Sequence, residues 1–195
     1  MKVVLIDYGA GNTQSVKFAF ERLGVSAILS SKPEDILSAD KVVFPGVGHA
    51  KTAMQMLTEK KLDILIPALT QPVLGICLGM QLLCNFSQEG NTKCLGVFNE
   101  TVQLFEPQLK VPQIGWNLAK PVSNQVQEKY LEVAENYFYF VHSYYVPINK
   151  YTTLTCEYGI SFSAGMQRNN FYAFQFHPEK SSQAGETLLK KFLEL

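Results

Sequence analysis

Apolar residues follow two alternating patterns along the first half of the chain. Short runs rich in Val, Ile and Leu predict buried strands at residues 2–7, 25–29, 41–44 and 73–76. Between these runs, apolar residues recur at the spacing of an amphipathic helix. The predicted helices cover residues 16–23, 50–69 and 79–86, with Gly24 after the first and Pro67 in the last turn of the second. Such alternation is typical of a parallel sheet with helices on its faces.

The second half of the chain has a different pattern. Its apolar runs are rich in aromatic and β-branched residues and are separated by Gly, Asn and Pro, which predicts antiparallel strands with hairpin turns. These strands are expected at residues 97–105, 137–146, 151–157 and 171–176, and a last helix at 184–195. The whole pattern predicts an α/β fold with a mostly parallel central sheet, flanking helices and added antiparallel strands. Because no composition shift marks a linker, residues 1–195 are expected to form a single domain.

Composition and charge narrow the possible functions. The chain has 17 Lys and Arg residues and 17 Asp and Glu residues, so it lacks the basic excess of a nucleic-acid binder. Its apolar runs fall short of the roughly 20 residues that span a membrane, and no signal-peptide cleavage site follows the first strand. The four cysteines form no CxxC pair, which argues against structural zinc. We therefore expect a cytoplasmic protein with reduced thiols that binds neither nucleic acid nor membranes.

One cysteine stands where a buried strand is predicted to turn directly into a helix. In the segment GICLG, Cys77 has glycines two positions before and two after it, which is the spacing of a nucleophile elbow. Side chains at Gly75 and Gly79 would collide with the strand and the helix that meet there. The amino terminus of the helix would favour the thiolate, and the N–H of Leu78 would face a developing oxyanion. We therefore predict a reactive thiol at Cys77.

The alternative for any free cysteine is a small apolar residue buried in the core. We adopt that interpretation for the other three cysteines, Cys84, Cys94 and Cys156. Cys84 is expected to face the core from the same helix that begins after Cys77.

A nucleophilic cysteine needs a histidine as its base. In the motif FQFHPE, His177 and Glu179 are two positions apart, so in extended backbone they point to the same side and the carboxylate can orient the imidazole. The alternative is an exposed histidine and glutamate at a strand end. His142 is expected to be a pocket wall or a structural histidine, and His49 to begin a helix.

Two glycine-rich turns follow predicted strands. The turn PGVG at residues 45–48 opens at the same sheet edge as Cys77, so one of its N–H groups can serve as the second oxyanion donor. The turn at residues 9–11 lacks the third glycine of a dinucleotide-binding loop and no acidic residue follows for a ribose, so NAD is not expected.

Together the motifs PGVG, GICLGMQLL and FQFHPE resemble those of class I, triad-type glutamine amidotransferases. More narrowly, IDYGAGN, the methionine in CLGMQ, PQIGWN and HPEKS look like the glutaminase subunits of imidazole glycerol phosphate synthases. The match covers essentially the whole chain and implies a flavodoxin-like fold.

The resemblance also implies roles for individual residues. It implies a triad of Cys77, His177 and Glu179, with oxyanion donors from Val47 and Leu78. Contacts to the amino-acid end of glutamine are implied for Gly48, Gln81, Glu89, Ser143 and Tyr144. A face toward a cyclase partner is implied for Asn12, Trp116, Tyr139 and Lys180.

The function implied is hydrolysis of glutamine through a glutamyl thioester, with ammonia passed to the cyclase subunit in histidine biosynthesis and with no metal or organic cofactor. One alternative keeps this chemistry and changes the acceptor enzyme, for example to one of a nucleotide-sugar pathway. Another is a non-catalytic module that senses glutamine, against which the intact residues of the triad argue.

Overall fold

The computed structural model describes residues 1–9, 12–106, 108–122 and 133–195. Ala10 and Gly11 of the first glycine turn lie outside these ranges. The helices are α1 Thr13–Arg22, α2 Pro33–Leu37, α3 Ala50–Glu59, α4 Leu62–Leu65, α5 Leu78–Leu82 and α6 Ser182–Glu194, with short 3-10 helices at Ile66–Ala68 and Pro178–Lys180. The strands are β1 Val3–Ile6, β2 Ile28–Ser30, β3 Lys41–Gly46, β4 Val73–Cys77, β5 Cys84–Ser87, β6 Thr92–Lys93, β7 Phe98–Leu104, β8 Gln113–Pro121, β9 Asn136–His142, β10 Tyr144–Tyr145, β11 Thr152–Tyr158, β12 Ile160–Arg168 and β13 Phe171–Phe174.

The main sheet has the strand order β2-β1-β3-β4-β13-β12-β11-β8-β9. Neighbours from β2 to β13 are parallel, and those from β13 to β9 are antiparallel. The predicted α/β class with a parallel part followed by antiparallel strands is therefore confirmed. The pairing of β4 with β13 sets Phe174 opposite Ile76. Residues that follow these two strands consequently meet at one edge of the sheet.

The core lies on both faces of the parallel strands. Val3 and Leu5 of β1 belong to one buried cluster, which α1 and α6 cover. Val4 and Ile6 of the same strand belong to a second cluster, which α2, α3 and α4 cover. Alternate residues point to opposite faces of a strand, so a continuous apolar run is what a sheet covered on both sides requires. Burial of each such side chain contributes roughly 1.5–3 kcal/mol.

The helix predicted for residues 79–86 is wrong in its second half. Helix α5 ends at Leu82, and the chain continues as β5, which pairs with β7 in a second, four-stranded sheet of order β10-β7-β5-β6. The carbonyl groups of Leu82 and Leu83 accept from the N–H groups of Leu95 and Phe98, which prevents continuation of the helix. Cys84 is therefore a strand residue, although it is buried in the core as expected.

Other boundaries also differ from the predicted ones. The helix predicted at 50–69 is broken at Lys61, whose φ of 57° is left-handed, and its last part is the 3-10 helix that contains Pro67. The run at 137–146 divides into β9 and β10, while α2, β6, β8 and β12 were not predicted. Among the described residues, no helix is both long and apolar enough to cross a membrane.

We expect Gly79→Ala to destabilise the protein strongly. A Cβ atom at position 79 would overlap the carbonyl oxygen of Phe44 in β3, so α5 and the strand would have to separate. Such overpacking costs about 1–3 kcal/mol or more of unfolding free energy. Gly24→Ala is the matched control, because its φ is +78° but nothing lies within 4 Å of the added atom, which leaves a conformational cost of about 1 kcal/mol. If urea denaturation showed equal losses of unfolding free energy for the two variants, this packing would be contradicted.

Candidate active site

Cys77 is held in a strained backbone conformation. It is the last residue of β4 and the residue before α5, with φ 53° and ψ −109°. A residue other than glycine in such a conformation costs about 1–3 kcal/mol. The strain is compatible with the fold because Gly75 and Gly79 leave room: a Cβ at Gly75 would lie 2.8 Å from Leu83 Cδ1. The turn presents the Cys77 side chain, which is 6 % exposed, at the sheet edge.

His177 and Glu179 form a buried pair beside this turn. His177 follows β13, and Pro178 begins the 3-10 helix that carries Glu179. Nδ1 of His177 lies 2.8 Å from Oε1 of Glu179, and the two side chains are 3 % and 0 % exposed. Because a carboxylate only accepts hydrogen bonds, Nδ1 carries a proton, which leaves Nε2 for Cys77. The alternative of an exposed pair at a strand end is wrong.

The pKa of His177 is controlled by its two partners. Burial on its own lowers this pKa, because it disfavours the charged imidazolium. Hydrogen bonds to Cys77 and Glu179, together with the negative charges of both groups, outweigh burial and raise the pKa to about 10. The site therefore favours an imidazolium at neutral pH, with the sulfur of Cys77 on one side and Glu179 on the other.

The carboxylate has a second partner that sequence reasoning did not assign to it. The side-chain amide of Asn12 donates from Nδ2 to Oε1 of Glu179 at 3.0 Å. Among the residues that the structure describes, none donates to Oε2 of Glu179, which is buried. Asn12 thus helps to hold a carboxylate whose other oxygen has no hydrogen-bond donor in the described structure.

The helix that begins after Cys77 is shorter than the sequence analysis assumed. With five residues, α5 provides a small helix dipole at its amino terminus. The positive charge next to the sulfur therefore comes mainly from His177. Within the described ranges, no three His, Cys, Asp or Glu side chains are grouped in a way that would hold a metal ion.

A cleft of about 330 Å³ opens above Cys77. This volume lies in the range of small-molecule sites, roughly 300–1,000 Å³. Ten of the residues with an implied catalytic, oxyanion, substrate or partner role line it: Val47, Gly48, Cys77, Leu78, Gln81, Glu89, Ser143, Tyr144, His177 and Lys180. Its wall also includes Pro112, Val141 and His142. The pairing of β3 with β4 sets Gly46 opposite Cys77, so the PGVG turn and the elbow are neighbours.

Two of the lining side chains already make hydrogen bonds with the protein. Nε2 of Gln81 donates to the carbonyl oxygen of Tyr144 at 3.0 Å and to Oε1 of Gln175 at 2.9 Å. Oε2 of Glu89 accepts from the N–H of Ala50, the first residue of α3, at 2.7 Å. Both side chains are therefore held in defined orientations next to the cleft.

His142 belongs to the cleft wall and is a structural histidine as well. Its Nδ1 lies 2.7 Å from the carbonyl oxygen of Tyr144 and its Nε2 lies 2.9 Å from Oε1 of Gln113. Burial lowers its pKa to about 4, so the ring is neutral at pH 7. The carbonyl oxygen of Tyr144 can only accept, so the single proton of the neutral ring is on Nδ1. Nε2 then carries a lone pair, and the Gln113 side chain must face it with its amide nitrogen. His49 precedes α3 and accepts from the N–H of Lys51, as expected for a residue that begins a helix.

The residues expected at a partner interface surround the His177–Glu179 segment. Trp116 and Tyr139 face each other across β8 and β9, with ring centroids 6.1 Å apart, and Trp116 is 52 % exposed. The carbonyl oxygen of Tyr139 accepts from the N–H of His177 at 2.9 Å. Lys180 is exposed and reaches the cleft. A surface that bears these side chains is thus one or two contacts away from His177 and Glu179.

Comparison with known proteins decides the family. The family described as "Glutamine amidotransferase class-I" matches residues 4–195. The chain belongs to this family. It is 50 % identical over 198 residues to imidazole glycerol phosphate synthase subunit HisH of Bacteroides fragilis, with 100 % of both chains covered. It is 48 % identical over 201 residues to subunit HisH 1 of Vibrio vulnificus, covering 100 % of this chain and 98 % of the relative.

Solved structures of glutamine amidotransferases have the same fold. A glutamine amidotransferase superimposes with a TM-score of 0.75 at 18 % identity, covering 98 % of this chain and 97 % of the other. A glutamine amidotransferase from Thermotoga maritima gives a TM-score of 0.64 at 17 % identity, covering 100 % of this chain and 81 % of the other. The resemblance that the motifs predicted is confirmed, and the chain is an enzyme of the glutamine amidotransferase class.

We expect Cys77→Ala to lower the pKa of His177 from about 10, because the substitution removes a hydrogen bond and a negative charge. The folded pKa lies above the usual 6.5, so the protonated ring contributes stability below pH 6.5 that is lost as pH rises through the folded pKa. In Cys77→Ala this loss should be smaller and should be complete at a lower pH. The measurement is NMR titration of the imidazole with thermal unfolding at each pH. Cys94→Ala is the control, and an unchanged His177 titration in Cys77→Ala would contradict the contact.

Asn12→Ala removes a hydrogen bond to a buried carboxylate, which contributes about 1.5–3 kcal/mol. We expect the turnover rate for glutamine to fall roughly tenfold or more, with little change in KM, because Asn12 contacts Glu179 and not the cleft. Asn12→Asp should be worse, since it sets a second negative charge beside Glu179. Steady-state kinetics of both variants test this, and an Asn12→Asp protein as active as Asn12→Ala would refute it.

Proposed function

We propose that the chain hydrolyses the side-chain amide of glutamine with Cys77 as the nucleophile, His177 as the acid and base, and Glu179 as the orienting carboxylate. The observation that carries the proposal is the strained Cys77 turn beside the buried His177–Glu179 pair, at the bottom of a cleft in a chain of this family. An arrangement of thiol, imidazole and carboxylate is the one that nucleophilic catalysis on a carboxamide requires.

In the first step, Sγ of Cys77 forms a bond to the carboxamide carbon and the π electrons move to the oxygen. The N–H groups of Leu78 and Val47 stabilise this oxyanion from the two sides of the cleft. The tetrahedral intermediate then breaks its C–N bond while protonated His177 gives its proton to the nitrogen. Ammonia leaves and a glutamyl thioester remains on Cys77.

The second step needs His177 in its neutral form. Once the thioester forms, Cys77 no longer carries a negative charge, so two of the causes that raise the pKa of His177 are lost and burial lowers it. The neutral ring can then accept a proton from water as the water oxygen bonds to the carbonyl carbon. The C–S bond breaks, the electron pair returns to Sγ, and glutamate leaves. Its contact with Cys77 thus makes His177 an acid before the thioester forms and a base after it has formed.

The polar groups around the cleft fit the amino-acid end of glutamine. One oxygen of Glu89 accepts from the N–H of Ala50, which leaves the other to accept from the substrate ammonium group. Ser143, Tyr144 and the exposed backbone of Gly48 line the cleft as further contacts. Gln81 supports this region through its bond to the Tyr144 carbonyl.

We further propose that the partner is a cyclase, since the relatives from Bacteroides and Vibrio are named as subunits of imidazole glycerol phosphate synthase. Ammonia is protonated in bulk water and loses its nucleophilicity, so it must pass directly to the enzyme that uses it. Asn12, Trp116, Tyr139 and Lys180 next to the triad form the docking face. The four free cysteines favour a reducing, cytoplasmic compartment.

Cys77→Ala tests the function. We expect release of glutamate to fall by roughly 10⁴- to 10⁶-fold, the scale observed when the nucleophile of a catalytic triad is removed, while circular dichroism shows a folded protein. Activity is measured with and without a purified cyclase and its nucleotide substrate. Cys94→Ala is the control, because Cys94 is also buried but does not line the cleft, and it should stay active.

Two results would overturn parts of this proposal. Full turnover by Cys77→Ala would remove Cys77 as the nucleophile. Activity that no cyclase stimulates, but another ammonia-using synthase does, would replace the partner and keep the chemistry.

A further inference from the structure

The side chain of Gln175 is completely buried next to the nucleophile. It has 0 % exposure and belongs to the segment between β13 and His177. Nε2 of Gln175 lies 3.8 Å from Sγ of Cys77, within hydrogen-bonding distance for sulfur. This buried amide has no part in the two proposed steps of glutamine hydrolysis, although it lies next to the sulfur.

The orientation of this amide is determined by a series of hydrogen bonds. The carbonyl oxygen of Tyr144 can only accept, so the atom of Gln81 that lies 3.0 Å from it must be the nitrogen Nε2. The second hydrogen of that nitrogen requires an acceptor, which is Oε1 of Gln175 at 2.9 Å. Nε2 of Gln175 must therefore point away from Gln81 and toward Cys77. The carbonyl oxygen of Tyr144 thus determines, through Gln81, that the amide nitrogen of Gln175 faces the sulfur.

The sulfur has different partners in its two protonation states. The thiol can donate to the carbonyl oxygen of Val141, which lies 3.7 Å from Sγ. A thiolate cannot donate, and an oxygen next to it is repulsive, so it needs N–H donors. Among the described residues, His177 and Gln175 are the side chains that supply them. Unlike the imidazolium, the Gln175 amide keeps its hydrogen throughout the reaction.

We propose that Gln175 is a catalytic residue whose side-chain N–H donates to Sγ of Cys77 and stabilises the thiolate, and that Gln81 fixes it in this orientation. This rests on the proposed function, in which Cys77 is the nucleophile. The donor acts twice: it stabilises the thiolate that attacks the carboxamide, and it stabilises the thiolate that leaves when water cleaves the thioester. Because Gln81 also lines the cleft, substrate binding and the reactivity of the sulfur are connected through one pair of amides.

The test is the pH dependence of Cys77 alkylation by iodoacetamide, followed on the peptide by mass spectrometry in the absence of glutamine. Gln175→Met fills a similar volume without an N–H donor. We expect the midpoint of its profile to move upward by about one pH unit, which corresponds to the loss of a hydrogen bond to a charged group. The turnover rate for glutamine should fall about tenfold, with KM changed by less than about twofold.

Gln167→Met is the matched control, because Gln167 is also a buried glutamine, at 2 % exposure on β12, and does not line the cleft. Its alkylation profile should match that of the wild type, even where its thermal stability falls as much as that of Gln175→Met. If Gln175→Met does not fold, Gln175→Glu serves instead. That variant keeps an acceptor for Gln81 and sets an oxygen against the sulfur, so its midpoint should rise at least as far.

Gln81→Met distinguishes a role of Gln81 in orienting Gln175 from a role in substrate binding alone. No glutamine is present during alkylation, so a residue that only binds substrate would leave the profile unchanged. We expect an upward shift in Gln81→Met as well, because Gln175 loses the partner that orients it. Unchanged profiles for the Gln175 variants, in a wild type that hydrolyses glutamine, would refute the role of Gln175 alone. A wild type that releases no glutamate with its cyclase present would instead refute the proposed function.

Discussion

The parallel pairing of β4 with β13 is the constraint on which the site depends. It joins strands separated by about a hundred residues and aligns Ile76 with Phe174, so that the residues after both strands emerge at the same edge. Cys77, the last residue of β4, forms a strained turn there, and His177 lies three positions beyond β13. If this pairing slipped by one residue, every side chain of the strand would change face. The distance from sulfur to imidazole is therefore a property of the sheet register.

The electrostatics of the site follow from burial. A carboxylate and an imidazolium that are almost inaccessible to water each lose several kcal/mol of hydration, and their mutual attraction offsets that loss only with good hydrogen bonds. Glu179 accepts such bonds from His177 and Asn12. Cys77 is a further group that stabilises the imidazolium form of His177. The Asn12 bond joins a residue of the expected partner face directly to the triad carboxylate. In the proposed complex, a partner docked on that face would therefore act on a group that holds His177 in place.

Several features were predictable because they are local. The continuous apolar runs of β1, β3 and β4, the glycines around Cys77 and the two-residue spacing of His177 and Glu179 each follow from chain geometry over a few residues. The same spacing rule places Gln175 on the side of His177, so this signal was also present in the sequence. Helix α5 was predicted too long because its end depends on distant N–H groups, those of Leu95 and Phe98, which occupy the carbonyls that a longer helix would need.

The sequence by itself determined the fold class, the family and the residues able to carry the chemistry, since these depend on periodicity and on motifs that are contiguous in the chain. The tertiary structure alone decided which groups meet: Asn12 with Glu179, and Gln81 with Gln175 and so with Cys77. Such contacts join residues 94 to 167 positions apart. Their geometry comes from strand order and register, which no local pattern records. It is these long-range contacts that set the polar groups around the sulfur and around the imidazole.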